Sequence, residues 1–226
     1  MRILLTNDDG WDAPGLAALK TAAAGFGDLV VLAPRDPHSY AGHRVTEHAP
    51  LLLAETAPGE FSLSGTPADC VRVALTTLFE DIDWVLAGIN RGGNLGSDLF
   101  TSGTVAAARE AAFLGKPAIA ISQYIRKGQP LDWSRSRDLT PGVLRTLLAR
   151  EPAAKEYWNV NLPHLESDEA AEIVFCDPDN QPLDVRFSRE GSHLRFAGSY
   201  QGRPRSPGRD IELCFEGAIT VSRLQL

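Results

Sequence analysis

Asp8 and Asp9 stand side by side directly after an apolar run, in MRILLTNDDG. Two adjacent carboxylates at the mouth of a buried strand repel one another, and burial raises that cost. A divalent cation relieves the repulsion while being chelated by the same oxygens, and magnesium or manganese suits hard oxygen ligands better than zinc does. Ser39 and Asn90, each in a loop that follows a strand, offer neutral oxygens to the same ion. Ser102, Gly103 and Thr104 open a helix, so their donors lie at its positive end and form a cradle for a phosphoryl group. Taken singly, these residues have plainer readings: one Asp capping a helix while the other faces water, a serine in a polar loop, an ordinary helix cap. Their joint occurrence around one rim is what points to metal and phosphate chemistry.

The rim itself follows from the elements that precede each cluster. Over residues 1–122 short apolar runs alternate with helical patterns, the signature of a parallel sheet covered on both faces. Strands are expected at 3–6, 29–33, 84–87 and 117–122, with a short hairpin at 51–54 and 60–63. Pro14 begins a helix, Thr66 and Pro67 cap and start another over 68–79, and a third runs over 104–114 to a C-cap at Gly115. In such open sheets ligands bind where the loops leave the carboxyl ends of the strands. NDDG, the Ser39 loop and GINRGGN all fall there. Beyond residue 122 a helix is expected over 139–150, a strand in WNVNLP (158–163), and then a β-rich region with strands at 171–176, 184–188, 193–197 and 218–224. The expected architecture is a three-layer, doubly wound, mostly parallel α/β sheet, Rossmann-like, with an appended β-rich C-terminal region. Residues 1–226 are expected to form one domain, with the core at 1–122 and a helix, a further core strand and a β-rich extension over 123–226.

Composition narrows the partners. The 226 residues carry a formal charge of −7, which disfavours binding to nucleic acid polymers by overall field. A small phosphate ester is still permitted, because an ion or a helix N-terminus reverses the field locally. No run approaches the roughly 18 apolar residues that a membrane span needs, and no secretory signal is visible. Cys70, Cys176 and Cys214 are widely spaced and suit reduced, buried thiols, so a cytoplasmic location is expected.

TNDDG, GTPADCV (65–71), AGINRGGNLG (87–96), TSGTVAAARE (101–110), LGKPAIAIS (114–122) and WNVNLP, in that order, resemble the survival protein SurE family of 5′/3′-nucleotidases. The resemblance covers nearly the whole chain. It implies a metal-dependent phosphomonoesterase that converts nucleoside 5′- or 3′-monophosphates to nucleoside and phosphate, with short polyphosphate as a further substrate. It also implies one divalent ion per subunit, at Asp8, Asp9, Ser39 and Asn90, and a homo-oligomer, dimer or tetramer. Asn7, Asn94, Ser102, Gly103 and Thr104 match positions near the reacting phosphate. Asp8 then serves as base toward a water or as nucleophile, and the water route suits a metal-bound carboxylate better.

Two stretches depart from the family pattern. The loop PRDPHSYAGHRVT replaces a more basic version, and His43 within it is expected at the surface, as are His38, His48, His164 and His193. The sequence ends at Leu226, where the family continues into a helix exchanged between subunits. QGRPRSPGRD carries Arg203, Arg205 and Arg209, either a solvated basic loop or a segment reaching the nucleotide. A phosphoacceptor receiver domain would need a third aspartate near residues 50–60, where LLLAETAPGE stands, and a dinucleotide oxidoreductase would need a GxGxxG after the first strand. The rival from another class is a nucleotide- or metal-binding protein of the same fold without catalysis.

Overall fold

A computed structural model describes residues 1–150, 152–166 and 169–226. Its strands are β1 (Arg2–Thr6), β2 (Asp28–Pro34), β3 (Leu53–Ala57), β4 (Glu60–Leu63), β5 (Trp84–Arg91), β6 (Ala118–Gln123), β7 (Glu156–Leu162), β8 (Ile173–Phe175), β9 (Phe187–Glu190), β10 (His193–Phe196) and β11 (Ile219–Gln225). Nine of them form one sheet in the order β3-β4-β2-β1-β5-β6-β7-β11-β8, and β9 and β10 make a separate antiparallel hairpin. The five central strands from β2 to β7 are parallel.

The helices are α1 (Pro14–Ala23), α2 (Pro67–Val73), α3 (Gly103–Phe113), α4 (Trp133–Leu148) and α5 (Asp210–Phe215). Alternation along β1 shows the layering: Ile3 and Leu5 pack with Leu16 and Leu19 of α1 and Val143, Leu144 and Leu147 of α4. Leu4 turns to the other face and joins Val71 of α2 and Val105 and Ala108 of α3. A strand covered on both faces must be continuously apolar, which is why RILLT shows no polar alternation. The alanines of α3, all buried, let that helix sit close on the sheet. From β1 the chain proceeds outward to β2 on one side and later to β5 on the other, so the topological switch lies between β1 and β5. That is where a doubly wound sheet leaves a crevice for ligand.

Several elements differ from the sequence expectation. The helix expected over 68–79 is α-helical only to Val73 and finishes as a π-helical turn, Ala74–Leu78. Its start is as read: the Thr66 hydroxyl accepts the Asp69 N–H while the Asp69 carboxylate accepts the Thr66 N–H. Helix α4 begins at Trp133 rather than 139, because the Asp132 carboxylate caps it on the Ser134 N–H at 2.9 Å. It continues through Pro141, at the cost of one backbone bond. The C-terminal β-rich extension is present as expected: β7 is the further core strand, β11 and β8 continue the main sheet beyond it, and the β9–β10 hairpin forms a separate sheet. Helix α5 was not foreseen in that region. Cys70 and Cys214 are buried, Cys176 is partly so, and all three are free thiols. No helix among the described residues is long and apolar enough to cross a membrane.

Candidate active site

The turn after β1 is fastened by Asn7. Its Oδ1 accepts the Gly10 N–H at 3.3 Å and its Nδ2 donates to the Gly10 carbonyl at 2.7 Å, while Gly10 takes φ +114°, a value that suits glycine. This double hook holds Asp8 in a buried position, 4% exposed. Asp8 Oδ1 accepts the Thr104 hydroxyl at 2.5 Å. Burial pushes its carboxyl up to about 6, Thr104 pulls it back, and the charge of Asp9 adds to the rise. Asp9 reaches the other strand of the switch, its Oδ2 accepting the Arg91 N–H at 3.0 Å.

The Ser39 loop has no regular structure, and it is stapled at both ends. The His38 N–H donates to the Asp8 carbonyl at 2.7 Å and the Gly42 N–H to the Thr101 carbonyl at 3.0 Å. Further along, the Thr66 hydroxyl donates to the Arg44 carbonyl and Asp69 accepts the Thr46 N–H and hydroxyl. Between the first two staples Tyr40 takes φ +59°, a strained value for an aromatic residue. At the end of β5 the Asn90 Nδ2 donates to the Gly92 carbonyl at 2.8 Å, which leaves its Oδ1 available as a ligand.

Helix α3 enters with Ser102 as N-cap, its Oγ accepting the Val105 N–H at 3.0 Å. Gly103 is required by proximity rather than by φ. A Cβ there would stand 2.8 Å from Asp8 Cβ, 3.0 Å from Asp8 Oδ2 and 3.2 Å from Pro67 Cγ. Asp8, Ser39, Asn90, Asn94 and Ser102 all line one cavity of about 780 Å³, at the carboxyl ends of β1 and β5. Asn7, Asp9, Gly103 and Thr104 are not on its wall: Asn7 holds the turn, Gly103 and Thr104 abut Asp8, and Asp9 ties the turn to β5. Another cavity, about 490 Å³ beside Arg2, Asp28 and Asp83, opens at the amino-terminal ends of the strands and contains none of these residues.

The donor set fits a hard divalent ion. It offers the buried Asp8 carboxylate, kept from easy ionisation, with the Ser39 hydroxyl and Asn90 amide oxygens on the same wall, and the Asp9 carboxylate next to it in the chain. Among the described residues no cluster of three or more His, Cys, Asp and Glu could hold a metal. A site of two carboxylates and two neutral oxygens is of a different kind, and the absence of histidine and cysteine ligands disfavours zinc.

A sequence profile described as Survival protein SurE matches residues 3–183. The chain belongs to the SurE family. A relative from Nostoc sp., provisionally named a 5′-nucleotidase, is 45% identical over the whole of both chains. The 5′-nucleotidase SurE of Geobacter sulfurreducens is 42% identical, covering all of this chain and 88% of that one. The crystal structure of the SurE protein from Aquifex aeolicus superposes with a TM-score of 0.90 at 30% identity, covering all of this chain and 93% of the other.

In this SurE chain the residues that aim Asn94 escaped the sequence reading. Its backbone N–H donates to Asn161 Oδ1 at 2.7 Å, and its carbonyl accepts Asn159 Nδ2 and Asn161 Nδ2 at 3.0 Å each. One side-chain N–H goes to Ser122 Oγ at 2.7 Å, so the second remains to donate. The signal was present in WNVNLP: two asparagines at i and i+2 share one face of an otherwise apolar strand, and both are buried at 1% exposure. A buried amide must be paired, so such residues mark a polar partner on a neighbouring loop.

The basic segment divides. Arg203 is buried, lines the cavity and clamps Asp98 with two bonds of 2.6 and 2.9 Å. Arg209 is a surface residue paired with Asp177. His43 is half-buried rather than at the surface, its Nε2 2.6 Å from Oε2 of the buried Glu110, which also accepts from Arg72. It therefore fastens the Ser39 loop to α3 and is not on the cavity wall.

Proposed function

We propose that this chain is a divalent-metal-dependent phosphomonoesterase acting on nucleoside monophosphates, with short polyphosphate as a second substrate that presents the same terminal phosphoryl group. The observation that carries the reading is Asp8: a buried carboxylate beside Asp9, on the wall of a large cavity that Ser39 and Asn90 also line. Asp8, Asp9, Ser39 and Asn90 are the residues assigned to the ion, magnesium or manganese. When bound, such an ion supplies Lewis-acid polarisation of a phosphoryl oxygen and a more acidic water.

The chain's own residues do the rest. With Asp8 Oδ1 held by Thr104, Oδ2 is the oxygen left to orient a water and accept its proton. Ser102 Oγ already accepts from Val105, so its hydroxyl hydrogen is free for a phosphate oxygen. The Gly103 N–H at the start of α3 and the second Asn94 N–H add donors where charge grows on the equatorial oxygens. The support of Asn159 and Asn161 beneath Asn94 and the staples on the Ser39 loop fix these groups before substrate arrives, so less of the barrier is left to orientation.

The test is phosphate release from AMP and from p-nitrophenyl phosphate, with and without manganese or magnesium, across pH 5 to 9. Release should require the ion, and Asp9→Asn should lose about two orders of magnitude. Absence of ion-dependent release, or an Asp9→Asn variant that matches the parent, overturns the reading in favour of a binding protein.

A further inference from the structure

The phosphate chemistry occupies only part of the 780 Å³ cavity, and a different portion of the chain builds the rest of its wall. Leu183, Val185, Phe196 and Tyr200, from the C-terminal half, line it together with Ile125 and with Tyr40 from the Ser39 loop. Phe196 is 63% exposed and Tyr40 88% exposed, so two aromatic rings front the cavity largely uncovered. Exposed rings bordering a cavity that also carries convergent polar groups mark a place for a flat apolar ligand. Beside them the wall is rigid. The Tyr200 hydroxyl donates to the Gly93 carbonyl at 3.0 Å, and its outer face carries the Arg203 guanidinium 4.8 Å from the ring centroid. Arg203 is itself neutralised by Asp98, so its guanidinium is not a free cation for a second phosphate. A polar end for a phosphoryl group joined to a largely apolar, aromatic end, where the Asp184 carboxylate also lines the wall, matches a nucleoside monophosphate better than a sugar phosphate.

Resting on the phosphomonoesterase reading above, we propose that Phe196 and Tyr40 form the nucleobase subsite, the base lying against their rings while Leu183 and Val185 cover its edge. Base–aromatic stacking raises affinity by about 5- to 150-fold per base, from about 1–3 kcal/mol.

The experiment compares AMP with ribose 5-phosphate, which carries the same phosphoryl group and no base. It uses the parent, Phe196→Ala, Phe196→Leu and Tyr40→Asn; asparagine accepts the positive φ at position 40 and removes the ring. Each variant should raise KM for AMP by about tenfold with kcat retained, and leave KM for ribose 5-phosphate at the parental value. Phe196→Leu separates the aromatic face from simple bulk and should behave like Phe196→Ala. Equal effects on both substrates, or no effect on AMP, overturn the subsite. So does a Phe196→Ala variant whose elution volume in size-exclusion chromatography shows a lost oligomer together with equal loss on both substrates, since the ring then serves a second copy of the chain. If the parent hydrolyses neither compound, the phosphomonoesterase reading fails by itself. Calorimetric binding of AMP against ribose 5-phosphate to the same variants then decides the subsite separately.

Discussion

Replacing Gly103 by alanine sets two physical effects against one another. Alanine is the better helix former, by up to about 1 kcal/mol in a helix interior. At this position its Cβ would lie 2.8 Å from Asp8 Cβ and 3.2 Å from Pro67 Cγ, against about 3.5–4.0 Å for an ordinary carbon contact. The shortfall is roughly 0.7 Å, and the contacted atoms belong to a buried carboxylate and a proline ring rather than to the free end of a flexible chain. Overpacking of this kind costs about 1–3 kcal/mol, so the clash wins and the net loss is about 1 kcal/mol. For a chain of this size that lowers the melting temperature by about 2–4 °C. The larger effect falls on catalysis. A displacement approaching 1 Å at a catalytic group costs on the order of a hundredfold, so kcat for AMP should drop by about 10- to 100-fold. Gly142→Ala is the control: it lies inside α4, a Cβ there meets nothing within 4 Å, and it should raise stability by about 0.5–1 kcal/mol with activity unchanged. Thermal unfolding in EDTA and steady-state kinetics with manganese measure both. A Gly103→Ala enzyme with parental kcat and a melting temperature raised like that of Gly142→Ala would refute the account of how α3 seats Asp8.

Three further outcomes follow from the same geometry. Adding manganese to the apo protein at pH 7.5 should raise its melting temperature, by about 2.7 kcal/mol of stability at a hundred times the dissociation constant; fluorimetry on Asp9→Asn should show little of that rise, and an equal rise there removes Asp9 from the site. Thr104→Val keeps the shape of the side chain but deletes the 2.5 Å bond to Asp8, costing about 1.5–3 kcal/mol and lowering kcat; Thr104→Ser should restore most of the rate, and a Val variant as active as the parent dismisses the bond. Asp210, fully buried at the start of α5 on the Gly96 and Asp179 N–H groups, has its carboxyl pushed up to about 6 by burial. The folded state therefore binds this proton more tightly than the unfolded chain, and the stability it lends is present below about pH 4 and lost as pH rises through 6, about 3 kcal/mol at most. Glu110 and Asp69, held below the usual range, act in the opposite direction, so the readout is the difference between parent and Asp210→Asn across pH 4.5–7. Identical slopes would show that Asp210 does not titrate in that window.

What the sequence revealed and what it hid divide along the range of the interactions involved. Pro14 at a helix start, the Thr66–Asp69 capping box and the unbroken apolar run of β1 are set by neighbours within a few residues, and each is read from local letters. The placement of β11 and β8 in the main sheet depends on pairings between strands far apart in the chain, such as Thr220 with Asn161. Local alternation says that a strand forms and is silent about which edge it joins. Helix α5 was hidden because its six residues sit among Gly and Pro, too short for a period to show. The same divide runs through the candidate site. The chemical types were visible in NDDG, Asn90 and the Ser102 helix start, while Arg203 reads as one more basic residue until its clamp on Asp98, 105 positions away, takes it out of solvent.

Asp8 shows why those distant pieces must converge on that first loop. A lone carboxylate buried this deeply is costly, and the structure answers with donors from two other segments, the Thr104 hydroxyl of α3 on its Oδ1 and the His38 N–H on its carbonyl, while the bare backbone of Gly103 allows α3 to close over it. These contacts hold Asp8 in place without cancelling its charge, since the carboxyl still rests near 6 with Asp9 beside it. If stability alone had shaped this turn, an uncharged residue at position 8 would avoid the burial cost altogether. The uncompensated charge makes sense as affinity held in reserve for a cation, and it yields a sharp expectation. Asp8→Asn should make the metal-free protein at least as stable as the parent at pH 7.5 while abolishing the manganese-induced rise in melting temperature. An apo Asp8→Asn protein markedly less stable than the parent would instead assign Asp8 to the fold.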